Sequence, residues 1–199
     1  MNRTKTVNKF LSIIMFSLLV SCFSCKKTTN QELRDQELSL RTGYIEKYHR
    51  NEIPVYRGVY VIPDKNQPKD QVKDAIVDKD VVRVYYEGYL LEQTKDGVNI
   101  KKERFDGNFD YKTGKEKYDP YTVTVVDQEL HQSARTTEIS GWHVALTHMH
   151  IGERAEVIIP SSQAYSIKGN GSIGPYQTLV FFMEVKEKAS SSSEEPIVE

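Results

Sequence analysis

The sequence predicts an α+β domain built on an antiparallel sheet, with a helical segment ahead of it. Three observations lead there. Between Pro54 and Lys188 the chain breaks into short runs of Val, Ile, Tyr and Phe, separated by Gly, Pro, Asn and Asp. Within that stretch only "GWHVALTHM" has the character of a helix, and it is short. Upstream, residues 31–50 carry apolar residues at helical spacing. Strands that outnumber helices, without βαβ alternation, form the α+β pattern. A chain of 199 residues is long enough for one domain with a core and short for two.

The opening residues stand apart from that domain. "MNRTKTVNKF" holds Arg3, Lys5 and Lys9 and no acid, and "LSIIMFSLLV" follows as an unbroken apolar run. A basic start, a short apolar core and small residues make a secretory signal, assigned here to residues 1–21. The run from Phe10 to Val20 is shorter than the roughly 20 apolar residues that a membrane span needs. "Leu19-Val20-Ser21-Cys22" resembles a bacterial lipobox, which makes Cys22 the expected lipidation site. Cys25 is the poorer candidate, because Cys22 would then fill an apolar position of the box. Acyl chains anchor by burying CH₂ groups at about 0.8 kcal/mol each. Residues 22–30 read as a polar tether.

Residues 31–52 are expected to be the N-terminal helix. Leu33, Leu38, Leu40, Tyr44, Ile45 and Tyr48 recur at helical intervals with charges between them, and Gly43 weakens the pattern. The sequence leaves open whether this face packs on the chain's own domain or on a second copy, so a homodimer through it is one expectation. "VYRGVYVI" is the first strand, closed by Pro63, and "PDKNQPKDQ" is a turn-rich loop. "DVVRVYYEGYLL" alternates in part, with Val82, Val84 and Tyr86 on one face and Arg83, Tyr85 and Glu87 on the other. Asp96-Gly97 signals a hairpin. "PYTVTVV", "ERAEVIIP" and "TLVFFMEVKE" supply further strands, and the Ser- and Glu-rich residues 189–199 are expected to be disordered.

Composition excludes several functions. The chain carries 27 basic and 28 acidic residues. Loss of residues 1–21 leaves 24 of the 27, so no basic field points to nucleic acid. Both cysteines lie near the start, which rules out a thiol nucleophile or a cysteine–zinc centre in the domain. Gly169-x-Gly171-x-x-Gly174 matches a dinucleotide fingerprint in spacing alone. That motif needs a strand before it and a helix opening at its last glycine, whereas here Pro175 and a β-branched, aromatic run follow. Asn170-Gly171-Ser172 also fits a glycosylation sequon, a match that chance often supplies. His148 and His150 lie near a helix end, where partial positive charge complements the dipole. A metal pair is the lesser reading.

Taken together, "VRVYYEGYLL", "RFDGNFD", "ISGWHVALTHMHIGERAEVIIPSSQAYSIKGNGSIGP" and "TLVFFMEV" resemble the FKBP-type peptidyl-prolyl isomerases over about Asp80 to Lys188. The order of motifs is kept, and in the second half so is their spacing. The resemblance implies a twisted antiparallel sheet wrapped around one short helix, here over residues 53–188. Lipobox, helix and domain together are similar to lipid-anchored members from Bacteroidota, including those associated with gliding motility.

Carried over motif by motif, the resemblance implies catalytic roles for Asp106, Tyr165 and Trp142. It implies substrate-binding roles for Tyr86, Phe105, Tyr121, Ile139, Ile173 and Phe181. Phe105-Asp106 is preferred to the second pair, Phe109-Asp110. The glycine loop becomes a flap over a proline pocket, with Ile173 pointing inward. Rotation about an X-Pro bond breaks no bond, so no metal or cofactor is expected. Glu138, Ser166 and Gly174 depart from the usual apolar rim residue, flap glycine and flap proline. The segments Leu91–Arg104 and Val126–Glu138 are longer than in compact members. The implied protein is an envelope lipoprotein facing the periplasm that isomerises X-Pro bonds in exported polypeptides. The alternative is a chaperone or scaffold of an envelope or motility complex with weak or no isomerase activity.

Overall fold

The computed structural model describes residues 30–189. The proposed signal peptide, Cys22 and Cys25, nearly all of the tether, and the tail from residue 190 lie outside them. From Leu33 onward the described residues form one compact unit. Of the other unit, Met1–Glu32, only residues 30–32 are described, and they open the first helix.

Helix α1 spans Asn30–Tyr48 and is followed by strand β1, Tyr60–Pro63. Strand β2, Val81–Thr94, turns at a glycine with φ 100° into β3, Gly97–Ile100. Four short strands come next: β4 Asp106–Gly107, β5 Phe109–Asp110, β6 Lys115–Glu116 and β7 Tyr121–Thr124. Helix α2 covers Ser140–Leu146, and β8 Arg154–Ile159 and β9 Leu179–Lys188 complete the fold. The sheet runs β1-β8-β9-β2-β3 with every pairing antiparallel. β2 also pairs with β4 and β7, and β5 with β6 forms a separate small hairpin.

Strand periodicity decides which helix meets which face. In β8, Val157 and Ile159 point into the larger core with Trp142, Val144, Ala145 and Leu146 of α2. In β9, Leu179, Phe181, Met183 and Val185 join them. The intervening Ile158 and Val180 face the other way, onto Tyr44, Leu40 and Ile45 of α1. Leu40, Tyr44 and Ile45 of α1 thus pack on the chain's own sheet, while Leu38 and Tyr48 are exposed. Gly43 is no flaw in that helix: a Cβ there would sit 2.8 Å from Val98 Cγ2, so the glycine permits α1 to lie close against β3.

The face of β2 that carries Arg83, Tyr85 and Glu87 is largely covered. Tyr85 and Glu87 are buried, at 4% and 6% exposure. The β5–β6 region folds back over them: the Phe109 ring lies 5.0 Å from that of Tyr85, and Tyr111 donates a hydrogen bond to the Tyr85 carbonyl. Arg104 reaches Glu87 at 3.2 Å, supplying the countercharge that a buried carboxylate requires. The covering segment is remote in sequence, so local alternation could not report it.

Candidate active site

A pocket of about 270 Å³ opens where β2, β4, β7, β9 and the start of α2 converge. Trp142 lies in the first turn of α2 and is 5% exposed. Its indole meets the Tyr86, Phe181 and Tyr121 rings edge-on at 4.8, 5.4 and 6.1 Å. Phe105 packs edge-on against Phe181 at 5.6 Å. Such pairs contribute about 0.5–1.5 kcal/mol each beyond area burial, which holds the cup in shape before any ligand arrives.

The cup has polar groups at its edges. Tyr86 donates from its hydroxyl to Asp106 Oδ2 at 3.0 Å, while Asp106 Oδ1 accepts from the Gly107 N–H at 2.8 Å. Burial, and then the Asp106 charge, raises the Tyr86 hydroxyl pKa well above the usual phenol range, so it is a donor at neutral pH. Ile139 adopts an extended conformation before α2, and no described residue accepts from its N–H.

Glu138 closes one side of the rim. Its Oε1 accepts from the Tyr121 hydroxyl at 3.0 Å, and burial together with this carboxylate raises the Tyr121 pKa. Its Oε2 lies 3.2 Å from Nε2 of the fully buried His143, although Nε2 is not aligned for a hydrogen bond. His143 Nδ1 accepts from the Val126 N–H, which places the ring proton on Nε2. Burial lowers the His143 pKa, and Glu138 only partly opposes it, so the imidazole is neutral.

The structure brings Tyr86, Phe105, Asp106, Tyr121, Ile139, Trp142, Tyr165 and Phe181 to this one pocket. Ile173 is the exception. It is 6% exposed, packs in the main core and does not line the pocket. Asn170, read earlier only as a sequon residue, lines the pocket, as does Thr137 from the long segment before α2. Neither carried a motif signal, since both reach the site through loop conformation. Phe109 and Asp110 sit on the small hairpin, away from the pocket.

Two of the departures lie in the loop before β9. Ser166 has φ 51°, a left-handed conformation that glycine adopts without penalty. Gly174 lies outside that region, and a Cβ there would meet nothing nearer than Gln177 Cγ at 4.0 Å. His148 and His150 have local partners: Nδ1 of His148 lies 2.9 Å from the Val144 carbonyl, and Nδ1 of His150 3.0 Å from Glu153. Among the described residues no group of His, Cys, Asp and Glu could hold a metal ion. Nor is any described helix long and apolar enough to cross a membrane.

Residues 73–186 match the family described as FKBP-type peptidyl-prolyl cis-trans isomerase. Among curated relatives, "FK506-binding protein 2" of Debaryomyces hansenii is 42% identical over 59 residues, 30% of this chain and 44% of that one. Human "Peptidyl-prolyl cis-trans isomerase FKBP14" is 29% identical over 108 residues, 54% of this chain and 42% of that one. The "FKBP-type 22 kDa peptidyl-prolyl cis-trans isomerase" of Escherichia coli is 48% identical over 50 residues, 25% of this chain and 24% of that one. The matches thus span less than half the length of each of these relatives. Among solved structures, a peptidyl-prolyl cis-trans isomerase from Pseudomonas syringae pv. tomato superposes with TM-score 0.53 at 23% identity, over 81% of this chain and 97% of that one. FkpA from Escherichia coli gives 0.54 at 21% identity, over 93% of this chain and 72% of that one. These two similarities concern the fold.

Proposed function

Because this chain belongs to the family of FKBP-type peptidyl-prolyl cis-trans isomerases, we propose that it catalyses rotation about X-Pro peptide bonds, using the aromatic pocket over Trp142. The observation that carries this reading is the pocket itself: a preformed aromatic cup with an unengaged Ile139 N–H at its edge.

The barrier to rotation, ~18–20 kcal/mol, is the amide resonance lost on twisting. A cup that grips the prolyl ring while fixed donors hold flanking carbonyls favours the twisted amide over either planar form. That is differential binding of the transition state. The Ile139 N–H and the Tyr165 hydroxyl serve as the donors, and Asp106 fixes the Tyr86 ring in the wall. The assay is exchange NMR on an X-Pro peptide. Asp106→Ala and Tyr165→Phe are each expected to lower kcat/KM by about three- to tenfold, the worth of one hydrogen bond. Background rates in the unaltered protein would overturn the enzyme reading in favour of the scaffold alternative.

We place the protein in the bacterial cell envelope, as a lipid-anchored member of the Bacteroidota type that acts on exported proline-containing polypeptides. The support is the apolar run and lipobox ending at Cys22. Palmitate incorporation is expected in the full chain and lost in Cys22→Ser; labelling that persists through Cys25 would overturn the choice of cysteine.

A further inference from the structure

We infer that Glu37 is a positioning residue for the pocket, through which α1 holds the loop that carries Tyr165 and Asn170. The kinetic consequence rests on the isomerase reading above; the structural one does not.

Glu37 lies mid-helix on α1 and is only 8% exposed. A carboxylate so placed is costly unless donors surround it. Here Oε1 accepts from the Ser161 N–H at 2.7 Å and from Thr178 Oγ1 at 3.0 Å, and Oε2 from Ser161 Oγ at 2.6 Å. Arg41, one turn on, adds its guanidinium at 3.2 Å. Ser161 and Thr178 are both 4% exposed.

Those two partners are not scattered. β8 ends at Ile159 and β9 begins at Leu179, so Ser161 and Thr178 stand at the two ends of the loop between them. One carboxylate therefore ties the departing and returning strands of the pocket loop to the same helix. The tie continues inward: the Ser161 carbonyl accepts from the Ala164 and Ser166 N–H groups, and the Ser166 carbonyl accepts from the Tyr176 N–H, each at 2.9 Å. Tyr165 sits inside that chain, beside the left-handed Ser166. Arg34, also on α1, lies over the Tyr176 ring at 5.1 Å.

Glu37 is not the helix's sole contact with the sheet. Toward its other end α1 is held by the Tyr44 hydroxyl donating to Glu156 at 2.8 Å and by the close approach of Gly43 to β3. Tyr44→Phe is therefore the control: it loosens the same helix without touching the loop.

The experiment compares Glu37→Gln with Tyr44→Phe in the full chain, with urea stability, amide exchange and kcat/KM on an X-Pro peptide measured for each. In Glu37→Gln, exchange of the Ser166 and Tyr176 amides is expected to accelerate about tenfold relative to the sheet amides. kcat/KM is expected to fall by about tenfold through displacement of Tyr165. Tyr44→Phe is expected to leave both within about twofold. Equal losses in the two variants, or unchanged loop exchange in Glu37→Gln, overturn the inference. Thr178→Val removes one donor only and gives the same readout where Glu37→Gln does not fold. A protein that isomerises no peptide defeats the enzyme reading alone, and the exchange comparison then decides the role of Glu37.

Discussion

Trp142→Ala is expected to lower the unfolding free energy by about 3–5 kcal/mol and to reduce kcat/KM on X-Pro peptides to the uncatalysed background. Both losses come from one side chain with two duties. Its inner face belongs to the main core with Val144, Leu146, Phe181 and Met183, and the indole is 5% exposed. Its outer face is the surface against which Tyr86, Tyr121 and Phe181 stand edge-on. Truncation removes the floor of the cup and leaves three rings without the partner that orients them. Urea unfolding followed by far-ultraviolet dichroism measures the first loss, since the variant has no indole left to fluoresce: Trp142 is the sole tryptophan. A variant that keeps half the wild-type kcat/KM would remove Trp142 from the site.

Gly88→Ala should injure the same pocket from the wall. The backbone at Gly88 is not left-handed, so conformation does not demand glycine there. Space does: a Cβ would lie 2.6 Å from Phe105 Cζ and 2.8 Å from Phe181 Cε1. Both are ring atoms in packed side chains, so the rings themselves must swing. Overpacking of this kind costs about 1–3 kcal/mol. The effect on rate should be larger in proportion, because a displacement of about 1 Å in a positioned group can cost up to about 100-fold. We expect a drop in kcat/KM of tenfold or more, on the order set by that displacement. Gly174→Ala is the comparison, since its Cβ would meet only Gln177 Cγ at 4.0 Å. Equal kinetics in the two variants would show that the Phe105–Phe181 wall has no part in catalysis.

The sequence announced what is local. The strands β8 and β9, the short helix bearing Trp142 and the Asp96-Gly97 turn all depend on neighbours within a few residues. Most of the pocket was legible for a different reason: its residues lie in motifs whose order identifies the family. What remained hidden depends on distant segments. The burial of Tyr85 and Glu87 was not legible, because their cover, Phe109, Tyr111 and Arg104, arrives from another part of the chain. Ile173 was expected at the pocket and packs in the main core. Glu37 was one charge among many on α1, and nothing in "QELRDQELSL" marks it as the one that is buried. Gly43 read as a weakness until Val98 was seen beside it.

The strand order has a consequence for how the chain is made. The strand at the middle of the sheet, β9, is made after every other strand among the described residues, and it pairs with both β8 and β2. The partners of Glu37 lie 124 and 141 residues downstream of it. A chain that emerges from its N-terminus therefore carries α1, β2 and most of the aromatic cup, until Leu179 is reached, without the element that joins them. Pairing over such separations is slow, because loop-closure entropy must be met before contacts reward it. The ten residues Leu179–Lys188 commit everything made before them. Ending translation just short of Leu179 would remove the middle strand of the sheet.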